Sequence, residues 1–139
     1  MTAAAGQTFG VIGPLAAFPL RLAVRHASRI GCRVHRGIRR QTTHAVIGRK
    51  LLEGPRERVS ARVAATGLHG VPVFSENGFL RALGLASAPE GASIERQSLL
   101  DQSRLPAADL DLLCLFDAFE SDAEPFTFRD VILARKYAG

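Results

Sequence analysis

Cys32 and His35, three positions apart, and Gly10 and Gly13, closing an apolar run, are the first places where this sequence could hold a ligand or a reactive group. Cys-x-x-His is a metal-ligand spacing. On an extended chain, however, an odd separation sends the two side chains to opposite faces, and no second pair completes a four-ligand zinc pattern. Gly10-Val-Ile-Gly13 falls short of the G-x-G-x-x-G of dinucleotide sites. Pro14 removes an N–H where a pyrophosphate would lie, and no acidic residue follows the next strand to hold a ribose. Neither a G-x-S-x-G elbow nor a Walker loop occurs. His44 stands alone, and Cys114 sits among Leu112, Leu113, Leu115 and Phe116, the setting of a buried, unreactive thiol. No catalytic residue, metal ligand, cofactor or small-molecule substrate is expected.

The remaining chemistry is charge. A net charge of +5 hides a division: residues 1–88 hold 13 Lys and Arg against 3 Asp and Glu, and residues 89–139 hold 5 against 10. The change of sign falls at Ser87-Ala88-Pro89-Glu90-Gly91-Ala92, small residues with Pro and Gly that read as the start of a linker over 87–97. In the basic half, Arg21, Arg25 and Arg29 recur at helical spacing, while Arg39, Arg40, Arg49, Lys50, Arg56 and Arg58 fall in or near loops. Such a surface can follow a phosphate backbone by charge, giving sequence-independent and salt-sensitive affinity. Aromatic residues that would stack on unpaired bases are missing from these stretches, which favours duplex DNA or a DNA end over a single strand. Genome composition and solubility, or docking of the basic unit on the chain's own acidic extension, would also account for a basic face.

These residues must be positioned by a small α/β domain. Val11-Ile12 and Ala45-Val46-Ile47 are continuous apolar runs suited to central strands of a parallel sheet. Cys32-Arg33-Val34-His35-Arg36-Gly37-Ile38 alternates, as an edge strand does, with Cys32, Val34 and Ile38 on one side. Between them Pro19 suits a first helical turn, Leu20, Ala23, Val24, Ala27 and Ile30 form one stripe, and Gly31 ends the helix. Ser75 caps a later helix, with Glu76 in its positive first turn and Phe74 and Phe79 spaced as a hydrophobic staple. Thr43 and His44 are expected to fix loop and strand by hydrogen bonds.

Strand, helix closing on Ile30-Gly31-Cys32, edge strand, Thr42-Thr43-His44 strand, helix, Gly70-Val71-Pro72-Val73 strand and Ser75-Glu76-x-x-Phe79-Leu80 helix, in that order, resemble a BRCT domain. The likeness is to the bacterial type at the end of NAD-dependent DNA ligases and spans residues 7–86. It implies a four-stranded parallel sheet in the order 2-1-3-4 flanked by three helices, and binding rather than catalysis. BRCT domains usually carry a Trp near the last helix; Phe79 takes that place here. Those that bind phosphopeptides use a Ser or Thr followed by Gly at the end of the first strand and a Lys on the second helix. The matching positions are Ile12, Gly13 and Arg62, so the hydroxyl is lost and the glycine and a cation are kept. Gly13 would serve equally as a plain strand-to-helix turn, and Arg62 as a solvated helix residue.

The acidic half, 98–139, reads as a helical extension. Ser98 to Gln102 suit a short helix, and Pro106 opens one that runs from Ala107 to Glu120, apolar nearly all around and so expected to be buried on more than one side. Thr127-Phe128-Arg129-Asp130 is a capping-box start for a last helix, with Phe126 and Val131 as staple partners. Phe126-Thr127-x-x-Asp130-Val131-x-x-x-Arg135 resembles the opening of a helix in MerR-type regulators, and the pattern running to the last residue suggests the N-terminal piece of a longer bacterial protein.

With 47% hydrophobic residues and a mean hydropathy near zero, the chain is neither disordered nor membrane-spanning. It has no run of the roughly 20 apolar residues that a span needs. Two cysteines make no disulfide framework, and Met1 to Thr8 lack the charged flank of a secretory signal, so a cytoplasmic setting is expected. The functional expectation is a non-enzymatic BRCT-type module contacting duplex DNA or DNA ends through its arginines, in a DNA-associated or transcription-regulating protein. The alternative is a protein-interaction module, phosphopeptide-binding or not, without DNA.

Overall fold

The computed structural model describes residues 5–87 and 89–139. Residues 1–4, half of the stretch read for a leader, and Ala88, inside the expected linker, lie outside the described residues. The chain forms two compact units, Met1–Ala86 and Ser87–Gly139.

The first unit runs β1 (Thr8–Ile12), α1 (Leu20–Arg29), β2 (Arg33–Arg36), β3 (His44–Ile47), a 3-10 helix (Arg49–Glu53), α2 (Arg56–Gly67), β4 (Val73–Phe74) and α3 (Glu76–Ala82). Every strand pair is parallel and the order is β2-β1-β3-β4, the α/β arrangement expected from the sequence. The two central strands are the continuous apolar runs, and the pleat divides them between two faces. Phe9, Val11 and Val46 enter the core with Ala23 and Ala27 of α1 and Phe79 and Ala82 of α3. Ile12, Ala45 and Ile47, of the opposite parity, are buried as well. Phe9 is the hub of the first face, its ring 5.2 Å from Phe79, 5.3 Å from His44 and 6.3 Å from Phe74.

The Thr-Thr-His segment fixes the sheet as its residue types suggest. Thr43 Oγ1 accepts the Thr8 N–H at 2.8 Å and donates to the Thr8 carbonyl, tying the entry of β3 to β1. Thr42 Oγ1 accepts the Arg39 N–H at 2.8 Å and lies 3.0 Å from His35 Nε2. Ser75 caps α3 by accepting the Gly78 N–H at 3.0 Å. One expectation fails in α1: Val24 is exposed, because Ala23 and Ala27 set the buried line and position 24 lies about 80° around the helix from its middle, at the edge of the stripe.

In the second unit α4 (Arg96–Ser103), α5 (Ala107–Leu115) and α6 (Phe128–Ala138) enclose a core of Leu99, Leu105, Leu110, Phe119, Phe126, Val131 and Ala134. α6 opens with the capping box read from the sequence: Thr127 Oγ1 accepts the Asp130 N–H and the Asp130 carboxylate accepts the Thr127 N–H, both at 3.1 Å. Ile94 pairs antiparallel with Phe126, so ordered structure of this unit reaches back into the stretch read as linker. α5 stops at Leu115 rather than Glu120. Asp117 takes a left-handed φ of 55°, and the turn it makes lets Phe119 into the core against Phe126. Only Leu110 of α5 is fully buried, so the burial on several sides expected of that helix is not met within the unit. No helix among the described residues is long and apolar enough to cross a membrane.

Candidate functional site

In a parallel sheet whose successive connections leave one strand toward opposite sides, a crevice opens at the carboxyl ends of the strands. Here β1 connects to β2 on one side and lies against β3 on the other. At that end a cavity of about 540 Å³ lies among Ile12 and Gly13 closing β1, Leu15 in the following loop, Leu20 opening α1, Arg36 closing β2, and Arg62 on α2. The cations thus come from different elements, brought together by the sheet order and not by sequence proximity.

The loop after β1, whose Gly13, Pro14 and Leu15 line the cavity, is held from beneath. Gly13 turns out of β1 with φ +78°, and a Cβ there would lie 2.8 Å from Leu51 Cβ. Gly48, leaving β3, passes so close under the loop that a Cβ would meet the Pro14 carbonyl oxygen at 2.3 Å. Glu76 completes the fastening. Its fully buried carboxylate accepts the N–H of Ala16 at 2.9 Å and, through the other oxygen, the N–H of Arg49 at 2.8 Å; Ala17 donates to it too. One side chain at the start of α3 therefore joins the β1–α1 loop to the β3 exit.

Of the residues singled out from sequence, Gly13 and Arg62 line the cavity. Arg21 and Arg25 are exposed on α1, Arg39 and Arg40 in the β2–β3 loop, Lys50 on the 3-10 helix, and Arg56 and Arg58 on α2, all outside its lining. Arg49 is half-buried and its Nη2 donates to Asn77 Oδ1 at 3.0 Å, a contact that anchors the 3-10 helix to α3. Sequence reasoning missed Arg36 as a site residue. The one available signal was its place at the carboxyl end of an edge strand, just before Gly37.

Among its described lining residues the cavity carries charge of one sign. Two guanidinium groups face no carboxylate among its described lining residues. α1, which begins at its rim, has no acidic residue in its first turn and no side-chain cap, while the buried Glu76 carboxylate is taken up by the Ala16 and Ala17 N–H groups of the preceding loop. The described lining also lacks Ser, Thr, Cys, His, Asp and Glu, the types that supply nucleophiles and general bases. Elsewhere, Cys32 is buried in the first core and His35 bonds to Thr42, so the Cys-x-x-His pair does not converge. No group of three or more metal-ligating side chains forms among the described residues. Burial pushes the Cys114 thiol up to about 12. His44 is held below its ordinary pKa by burial beside Phe9 and Phe74.

No protein-family model, curated protein or solved structure matches the chain.

Proposed function

We propose that residues 7–86 are a BRCT-type, non-enzymatic binding module that takes a phosphate of duplex DNA, above all one at a DNA end, between Arg36, Arg62 and Gly13. The observation that carries this reading is the cavity itself: two arginines from separate elements, a strand-end glycine and no opposing carboxylate among the described lining. Guanidinium groups match phosphate oxygens in geometry and charge, and the positive helix end adds to the same field. Ile12 supplies no hydroxyl, so Arg36 is the added contact that makes up the donor set. The exposed Arg21, Arg25, Arg39, Arg40, Lys50, Arg56 and Arg58 extend the positive field along the unit, and duplex flanking the bound phosphate meets them. The absence of nucleophile and base types from the described lining supports binding over catalysis. This reading fits a cytoplasmic, DNA-associated bacterial protein, and a MerR-like opening of α6 would suit a transcription regulator.

Titration of a labelled duplex tests it. Affinity should fall steeply from low to moderate salt and be indifferent to base sequence. No binding at low salt contradicts it. A second reading is favoured by the apolar part of the same cavity, Leu15 and Leu20 beside the arginines, which suits the side chain that carries a phosphomonoester in a peptide. A phosphothreonine peptide that binds when duplex does not would select that reading.

A further inference from the structure

Two faces in the second unit are left uncovered by it, and each has what the other lacks. On α6, Phe128 is 66% exposed and Ile132 41% exposed. Four residues apart, they stack on one side of the helix, away from the buried Asp130 and Ala134, with the buried Val131 at the edge of the face, about 60° around from Phe128. Arg129, Arg135 and Lys136 fall on the same third of the circumference, with no carboxylate among them. Arg129 reaches Glu120 at 3.6 Å and still stays largely exposed. The face concentrates three of the five cations of a unit that carries ten acidic residues.

On α5 the signs are reversed. Leu112 and Leu115 are half-buried and outside the core cluster, and Phe116, capping the helix, is 40% exposed. Asp109 and Asp111 border that stripe on its two sides; Asp111 is ion-paired with Arg96 of its own unit, so Asp109 is the carboxylate of the pair left for a cation from outside. A helix apolar around its whole circumference is expected to be covered on more than one side, and this one is not covered by its own unit.

We infer that the second unit self-associates as a two-fold dimer in which α6 of one copy packs across α5 of the other. A second copy supplies both complements at once, apolar residues for Phe128 and Ile132 and the Asp109 carboxylate for the cations beside them. A two-fold axis forms the contact twice with the same residues. Nucleic acid would have to approach a unit with twice as many acidic as basic groups, and it would leave the apolar stripes unused. A lipid surface would gain only two apolar side chains, because the opposite face of α6 is committed to the core.

Sedimentation equilibrium of the full chain tests this. The expected result is a concentration-dependent dimer. Ile132→Ser, Lys136→Glu and Asp109→Lys should each weaken it about tenfold or more (about 1.4 kcal/mol) with helix content unchanged by circular dichroism. Mixing the Lys136→Glu and Asp109→Lys chains should restore association, since both contacts of the mixed dimer then join opposite charges. A chain that stays monomeric, or a dimer indifferent to Ile132→Ser and Lys136→Glu, overturns the inference. So does a monomer whose binding to duplex DNA or to anionic vesicles is lost on the same α6 substitutions, an outcome that assigns the face to nucleic acid or lipid.

Discussion

Glu76 and Ala16 stand 60 residues apart in sequence and are joined by a hydrogen bond of 2.9 Å, from the Ala16 N–H to a carboxylate with no exposure to solvent. The same carboxylate accepts from Ala17 and Arg49, so the loop that walls the cavity is fastened to the start of α3 and not to its own strand. Glu76→Gln turns an amide N–H₂ toward backbone donors and leaves at least one of them unmet. A loss of about 1.5–3 kcal/mol is expected, the range for a hydrogen bond to a charged group, measured as a lower urea midpoint at unchanged slope.

Gly13→Ala should act on the same wall from the other side. The left-handed φ of +78° costs an L-residue about 1–2 kcal/mol, and the added methyl lies 2.8 Å from Leu51 Cβ. Both costs can be relieved only by moving the loop. The variant should therefore lose duplex affinity along with about 1–2 kcal/mol of stability in the same urea titration.

These two residues also mark how far the sequence could be read. The order of elements, the central strands, the Ser75 cap and the Thr127–Asp130 capping box were legible because each depends on side-chain period or on residues within four positions of each other. Glu76 was legible only as a favourable charge in a first helical turn. Its second role depends on residues 16, 17 and 49 arriving from two other connections, which no local pattern records. Arg36 was missed for the same reason, since it shares a cavity with Arg62 only once β2 and α2 are both placed. The end of α5 was misjudged because Phe116, Ala118 and Phe119 continue an apolar pattern that helical periodicity accepts, while the core recruits Phe119 through the turn at Asp117.

Asp130 organises the second unit as Glu76 does the first. Fully buried, it accepts the N–H of Glu120 at 2.7 Å and of Ser121 at 3.3 Å besides that of Thr127. Asp130→Ala strands these donors and should cost about 3 kcal/mol or more, whereas Thr127→Ala, which removes only the cap, should cost about 1 kcal/mol. Amide exchange by mass spectrometry should place the loss of protection in residues 93–139 for both.

Cys114 sets a pH dependence. Burial raises its thiol from 9.0 to about 12, so the folded chain holds this proton longer than the unfolded chain does. The contribution to stability is therefore complete below pH 9 and is lost as pH rises from 9 toward 12. Urea midpoints across that range should fall more steeply for the natural chain than for Cys114→Ala, and alkylation of Cys114 by iodoacetamide should stay slow until the chain unfolds.

The central claim is that Arg36 and Arg62 hold a phosphate at the carboxyl end of the sheet. The most direct measurement compares, at low salt, one duplex with a 5′-phosphate against the same duplex with a 5′-hydroxyl, using the natural chain, Arg36→Ala and Arg62→Ala. The expected result is tighter binding of the phosphorylated end, with that preference reduced roughly tenfold by either substitution and the salt-sensitive background kept. Equal affinity for the two ends, unchanged by both substitutions, would contradict it.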